Sequence, residues 1–322
     1  MTKKPWLSIL IPTYNGKDHL PYALNSVLDQ GDNDVECIVI DDGSTDDTLS
    51  IINKYQEKIP MKVVQRGRTG NWVANTNHAL SLATGEYVCF LHQDDVWLKD
   101  RLTVMRGLTR KFPEIVLFIN PSYFLDNEGN IIGLWRCPLP KYPRIINSNL
   151  MITNLLVQNF IAMPAPIIKR ETALLVHGLD ETLWYTADWD FWLKVAACGD
   201  ALYYRKPLSG FRVHSNSQTI NRSSRLREFR EQLNIVYNKH LQNWSAPKNK
   251  KDKIIKIAKF SIEVNSAMAG LVHQEFRDHL KLAISFLLLG PINVFRYFQI
   301  SRITERVTAR LRAQLAFPHL KR

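Results

Sequence analysis

Along the first 120 residues, short apolar runs alternate with longer stretches in which apolar positions recur every three or four residues. The run at 7–11 (LSILI) reads as a buried strand. Leu20, Ala23, Leu24, Val27 and Leu28 then fall on one helical face. A second apolar run, ECIVI at 36–40, ends at Asp41. Behind it Ser44 and Asp47 match a capping box that opens an amphipathic helix through Leu49, Ile52 and Tyr55. Residues 62–64, 87–91 (YVCFL) and 116–119 read as further strands, and 72–83 and 100–112 as helices. This alternation predicts an α/β fold with a mostly parallel central sheet flanked by helices. In such sheets ligands sit beyond the carboxyl ends of the strands. The acidic pairs Asp41-Asp42 and Asp94-Asp95 both fall where a predicted strand ends.

Beyond residue 120 the pattern loosens. DNEGN at 126–130 is a turn, CPLPKYP at 137–143 a proline-rich loop, and 148–157 and 187–197 are helical. From about 222 the chain is helical and basic. Residues 222–322 hold 20 of the 42 Lys+Arg but only 7 of the 30 Asp+Glu, so they carry the whole of the net +12. The charge shift predicts two units: a catalytic domain over 1–221 and a basic helical C-terminal region over 222–322.

Charged residues make up 22% and hydrophobic residues 45%, the balance of a folded globular chain rather than a disordered one. The apolar run near the N-terminus stops at Pro12, too short for a signal-peptide core, and no stretch offers 18 uninterrupted apolar residues for a membrane span. Cys37, Cys89, Cys137 and Cys198 are scattered with no CxxC pair, which fits buried thiols in a reduced, cytoplasmic setting. A basic tail implies an anionic partner. Its aromatics Phe229, Tyr237 and Trp244 lie at helical spacing, as core residues do, and nucleic-acid motifs are missing, so nucleic acid is not the expected partner. The stretch LAISFLLLGPINVFRYF at 282–298, broken by Gly290-Pro291, charged by Arg296 and followed by Arg302, Arg306, Arg310 and Arg312, fits a helix lying on an anionic membrane surface. It fits equally a helical subdomain packed on the catalytic domain.

Four constellations carry candidate chemistry. Pro12-Thr13-Tyr14-Asn15 follows the first strand, and Asp41-Asp42-Gly43-Ser44 the second. A carboxylate there suits a base edge or a ribose diol, or else decorates a helix start. His92-Gln93-Asp94-Asp95 ends another strand and offers oxygen ligands to a hard divalent cation, or is a solvated loop. Asp188, flanked by aromatics in ADWDFW, is placed for partial desolvation, which raises a carboxylate's basicity. Arg212 and His214 fall on one face of a strand, either reaching a phosphate or metal or sitting on a surface edge.

Taken with SILIPTYNGKDHLPYALNSVLDQ (8–30), VIDDGSTDDT (39–48), ANTNHALSLATGEYVCFLHQDD (74–95), GLDETLWYTADWDFWLKV (178–195) and GFRVHSNS (210–217), these motifs resemble the family 2 glycosyltransferases, whose nucleotide-diphospho-sugar transferase fold is called GT-A. The resemblance covers roughly residues 6–217. It implies an inverting transfer from a nucleotide-sugar donor, commonly a UDP-sugar, to a glycan or lipid-linked acceptor in bacterial surface polysaccharide assembly, with Mn²⁺ or Mg²⁺ as cofactor. Pro12, Thr13, Tyr14, Asn15, Asp41, Asp42, Asn77, His92, Gln93, Asp94, Asp95 and Arg212 would then line the donor site. Asp41 would meet the base, Asp94 and His214 would hold the metal, and Asp188 would be the catalytic base. His92 departs from the family pattern, standing where the first acid of its DxD motif is expected. That departure is what a non-catalytic donor-binding or scaffold protein with a degenerate metal motif would show.

Overall fold

The computed structural model describes residues 4–140, 145–214, 225–272 and 279–316. The elements of the first half are β1 (Leu7–Thr13), α1 (Leu20–Leu28), β2 (Val35–Asp41), α2 (Thr48–Gln56), β3 (Met61–Gln65), α3 (Trp72–Leu82), β4 (Tyr87–Phe90), β5 (Val96–Trp97), α4 (Arg101–Lys111) and β6 (Leu117–Ile119). Then come β7 (Ser122–Leu125), β8 (Ile131–Trp135), β9 (Ile145–Ile146), α5 (Ser148–Val157), β10 (Ile167–Lys169), α6 (Arg170–Leu175), α7 (Ala187–Cys198), β11 (Ala201–Tyr203) and β12 (Ser209–Arg212). The C-terminal region holds α8 (Leu226–Asn243), α9 (Lys248–Val272), α10 (His279–Leu289), α11 (Pro291–Ser301) and α12 (Ile303–Ala316).

Eight strands form the main sheet in the order β3-β2-β1-β4-β10-β6-β11-β9. The β3-β2-β1-β4 half is parallel throughout; β10 runs antiparallel between β4 and β6. β1 and β2 are buried on both faces, which is why they read as unbroken apolar runs rather than alternating ones. One face packs against α1, α2 and α4 through residues such as Leu24, Ile52 and Met105. The other buries α3, α5 and α7 and continues without a break into α8 and α9 through Phe229, Val236, Tyr237, Trp244 and Ile257. The basic region thus shares its apolar core with the sheet. The expected boundary at 221/222, residues 215–217 of the last motif and residues 141–143 of the proline-rich loop lie outside the described residues.

A second sheet, β5-β12-β7-β8, stands at the mouth of the first. Its antiparallel β5–β12 pair sets Ser209 opposite Trp97 and Gly210 opposite Val96. That register carries Arg212 and His214 back onto the end of the HQDD segment, more than a hundred residues away in sequence. β12 is an interior strand of this sheet and not a surface edge. Two smaller expectations fail. Ser44 does not cap α2: its hydroxyl donates to the Asp41 carboxylate, and Asp46 accepts from the Thr48 amide instead. Cys198 is exposed, whereas Cys37, Cys89 and Cys137 are buried free thiols.

Candidate functional site

The site gathers at the carboxyl ends of β1, β2 and β4. Pro12 pairs with Ile40, and the Asp42 amide donates to the Thr13 carbonyl, which fixes the two turns side by side. Asn15, with φ 45°, stitches them further: its amide donates to Ser44 Oγ (2.9 Å) and its Oδ1 accepts from the Thr45 amide (2.8 Å). The Asp41 carboxylate accepts from the Ser44 amide at 3.1 Å as well as from its hydroxyl. Asp42 accepts from the Thr69 amide (2.8 Å), the Thr69 hydroxyl (2.6 Å) and the Gly70 amide (2.9 Å), and pairs with Arg68. Burial alone would raise its pKa; the Thr69 and Gly70 donors outweigh that and hold it at about 2. The Arg68 guanidinium also lies 3.5 Å from the centre of the Tyr14 ring. Gly43 has φ 75°, and a Cβ there would stand 2.9 Å from the Arg68 amide, so the turn needs glycine. Tyr14, Asp41, Asp42 and Arg68 together make a stacking and hydrogen-bonding wall.

At the end of β4 the HQDD residues take separate tasks. Gln93 turns back toward β1: its Oε1 accepts from Thr13 Oγ1 (2.6 Å) and the Tyr14 amide (2.8 Å), and its Nε2 donates to the Tyr14 carbonyl (3.1 Å). Asp94 Oδ2 lies 3.0 Å from His214 Nε2. Asp95 Oδ1 accepts from the Arg212 amide (3.1 Å), while its Oδ2 is buried with no hydrogen-bond partner among the described residues. Burial, with the neighbouring Asp94 charge, pushes Asp95 well above the usual carboxylate range. Burial would raise Asp94 too, but the hydrogen bond and charge of His214, with the charge of His92, pull it below that range.

His92, Asp94 and Asp95 each offer a ligand atom, and these lie within 4.8 Å of one another. Two carboxylates and one imidazole form a donor set that suits Mn²⁺ more readily than Mg²⁺. The fit extends further. Burial lowers the pKa of His92, which favours the neutral ligating form, and His92 Nε2 is buried with no partner among the described residues. The Trp72 ring abuts the imidazole edge-on at 5.2 Å between ring centres. His92, first read as a weakening of the motif, therefore stands inside the candidate metal cluster beside Asp94, while His214 reaches that cluster through Asp94.

Arg212 is almost fully buried. Its Nε donates to the Asp94 carbonyl (2.9 Å) and its Nη1 to the carbonyls of Asp126 (2.9 Å) and Asn127 (2.7 Å). Those bonds brace the loop that presents Asp94. Asn77 is similarly spent: its Nδ2 donates to the Leu179 carbonyl and Glu181 Oε1 (both 2.9 Å), and its Oδ1 accepts from the Leu179 amide (2.9 Å). These bonds tie α3 to the chain leading to α7.

Asp188 lies in the first turn of α7. Its Oδ2 accepts from Asn159 Nδ2 (2.8 Å) and its Oδ1 from the Trp189 amide (2.7 Å). Burial outweighs both bonds and raises its pKa to about 6. Asp190, one turn face away, is a structural anion: His240 (2.7 Å), Lys239 (2.9 Å) and Lys194 (3.3 Å) surround it and hold its pKa far down against burial. Sequence reasoning missed four participants. Arg68 belongs to the glycine-flanked basic turn RGRTG after β3, a signal that was available. His19, 5.2 Å from His214 between ring centres, Asn159 and Trp72 carry no local signature.

Residues 8–163 match the family model described as Glycosyl transferase family 2. The UDP-Glc:alpha-D-GlcNAc-diphosphoundecaprenol beta-1,3-glucosyltransferase WfaP of Escherichia coli is 27% identical over 238 residues, covering 71% of this chain and 85% of that one. The fold is similar to that of S. aureus TarS residues 1–349, solved with UDP-GlcNAc (TM-score 0.66, 19% identity, 96% of this chain and 90% of that one). It is also similar to a mannosyltransferase from Pyrobaculum calidifontis solved with GDP-Man and Mn²⁺ (TM-score 0.59, 17% identity, 98% and 89%). With the strand-end acidic motifs, the sheet order and these likenesses in hand, the chain belongs to glycosyltransferase family 2 and has the GT-A fold.

Proposed function

We propose that the protein is an inverting hexosyltransferase that uses a UDP-sugar donor to extend a glycan or lipid-linked acceptor during assembly of a bacterial surface polysaccharide. The observation that carries this reading is Asp188: a carboxylate in the first turn of α7 whose pKa of about 6 makes it a competent base near neutral pH. The named relative that uses UDP-Glc and a diphospholipid-linked acceptor supports the donor and acceptor classes.

In this reading Thr13, Tyr14 and Asn15 border the nucleotide, Asp41 and Asp42 face its base and ribose, and Arg68 clamps the Tyr14 ring. Mn²⁺ or Mg²⁺ held by His92, Asp94 and Asp95, with His214 in support, would neutralise charge on the leaving diphosphate. Asp188 removes the proton from the acceptor hydroxyl. The oxygen attacks the anomeric carbon opposite the diphosphate, the bond from that carbon to the diphosphate oxygen breaks, and one displacement inverts the centre. Asn159 keeps Asp188 aimed by its hydrogen bond. Retention of all these groups argues against a non-catalytic scaffold.

The same reading sets the protein on the cytoplasmic face of the membrane. Among the described residues no single helix is long and apolar enough to cross a bilayer, but α10 and α11 meet at 108° and expose Leu287, Leu288, Ile292 and Phe295. A bent apolar surface with Lys281 and Arg296 beside it suits the interface of an anionic bilayer. The test is transfer from a panel of radiolabelled UDP-hexoses to prenyl-diphosphate-linked sugars, with the product anomer read by NMR. Transfer with inversion that is lost in Asp188→Asn supports the assignment; unchanged transfer in that variant sinks it.

A further inference from the structure

α12 is fixed across β8 by contacts that leave one of its arginines with a buried, unmet hydrogen-bond donor. A Cβ on Gly133 would come 3.2 Å from Ala309 Cβ, so strand and helix approach closely there, and Ala309 and Ala313 pack with Phe124 and Ile132. Arg312 Nη1 donates to the Ile132 carbonyl (2.9 Å), and Glu305 pairs with Arg136 (2.7 Å). Among the described residues Arg306 adds only a ring contact to this docking, with no hydrogen bond or ion pair. Its guanidinium lies 5.5 Å from the centre of the Trp135 ring, and its Nη1 is buried with no hydrogen-bond partner among the described residues. Arg302, the left-handed residue between α11 and α12, has a buried Nε in the same condition. Arg306 and Arg310, spaced four apart, lie on one side of the helix, where like charges repel.

The surroundings of Arg306 are specific. Burial and the Arg310 charge lower its pKa to about 10, so it remains a cation near neutral pH; the nearby opposing groups are Tyr185, Tyr297 and Asp188. The Arg306 charge acts in return on Asp188. By contrast, the charges that chiefly act on Asp94 and Asp95 come from His214, His92 and Arg212. Ile303 and Val307, on either side of Arg306 along α12, pack into the core that also holds Ala187 and Trp189, the neighbours of Asp188, and this packing puts Arg306 on the base's side of the site. A buried guanidinium donor without an acceptor is costly to maintain, and a planar guanidinium matches a phosphate.

We infer that Arg306, with Arg302 behind it, forms an anion subsite on the acceptor side of Asp188 that binds a phosphate group carried by the acceptor. This inference rests on the transferase reading for the meaning of "acceptor", but not for the binding itself. The subsite supplies affinity and register: phosphate held on α12 sets which hydroxyl reaches the Asp188 carboxylate. It also explains why the C-terminal helices share a core with the catalytic sheet, since α12 must sit rigidly over β8 for Arg306 to serve this purpose.

The experiment titrates the full-length protein, loaded with UDP and Mn²⁺ so that the donor site is filled, with citronellyl phosphate and separately with glycerol phosphate, by calorimetry. Wild type should bind at least one of them. Arg306→Gln should weaken that binding about tenfold or more, as expected for losing a charge-assisted pair, with UDP affinity unchanged, and Arg306→Lys should lose less. Tighter binding of citronellyl phosphate marks a lipid-linked source, and tighter binding of glycerol phosphate marks a polyol-phosphate source. Equal phosphate affinity in wild type and a folded Arg306→Gln overturns the inference, as does failure of wild type to bind either phosphate. If Arg306→Gln does not fold, Arg302→Gln takes its place: weakened phosphate binding supports the subsite and unchanged binding overturns it. A protein that does not bind UDP defeats the transferase reading at the loading step, and the same phosphate titration on unloaded protein still decides the role of Arg306.

Discussion

Replacing Asp188 with asparagine should inactivate the enzyme and stabilise it at the same time. In the folded protein burial raises this carboxyl from 3.8 to about 6. At about 1.36 kcal/mol per pH unit, keeping it ionised above pH 7 costs up to about 3 kcal/mol of folding free energy. The sign follows from proton binding. The native state binds this proton more tightly than the unfolded chain does, so the group lowers stability as pH rises from about 4 to about 6, and the loss is constant above that. Asparagine mimics the protonated acid: it is neutral, similar in size, and like that acid keeps one carbonyl acceptor for the two donors that face it, Asn159 Nδ2 and the Trp189 amide. Asp188→Asn should therefore match wild type in urea denaturation at pH 4 and exceed it by up to about 3 kcal/mol at pH 8. Turnover should fall roughly 10²–10⁴-fold, and the wild-type rate should drop tenfold per pH unit below about 6. A stability difference that does not change with pH, or a variant less stable than wild type at pH 8, refutes the desolvation argument even if activity is lost.

Arg212→Ala removes donors to three loop carbonyls from a buried position, and should cost on the order of 3–5 kcal/mol in urea unfolding along with weaker Mn²⁺ binding. His92→Asp restores an all-carboxylate ligand set and should move metal preference from Mn²⁺ toward Mg²⁺, read as the ratio of activities with the two ions. Leu287→Glu with Leu288→Glu should abolish co-sedimentation with anionic vesicles while sparing turnover of a soluble acceptor. Deleting the C-terminal helices is a poorer test, because α12 packs on β8.

The parallel half of the main sheet was legible because β1, β2 and β4 are buried apolar runs bounded by turns, and the helical faces of α1 and α2 announce themselves by period. Their ends located Asp41-Asp42 and Asp94-Asp95 directly. The second sheet was not legible: β5 has two residues and β7 and β12 four each, too short for any period to show. The task of each site residue depended on partners distant in sequence. The sequence at 44–47 satisfied a capping pattern, yet Asp41 took the Ser44 hydroxyl. Asn77 and Arg212 lay in the right motifs, yet both are spent on backbone carbonyls about a hundred residues away. Arg306 looked like one more charge in a basic tail until α12 laid it against Trp135 with a buried, unpartnered Nη1.

The claim that the donor is held at the end of β4 through a metal is tested most directly by titrating UDP into the protein with and without Mn²⁺, in wild type and in Asp94→Asn. Wild type should bind UDP tightly only when Mn²⁺ is present, and Asp94→Asn should lose that metal-dependent gain while keeping its fold. UDP binding that is equally strong without metal and unaffected by Asp94→Asn would contradict the account.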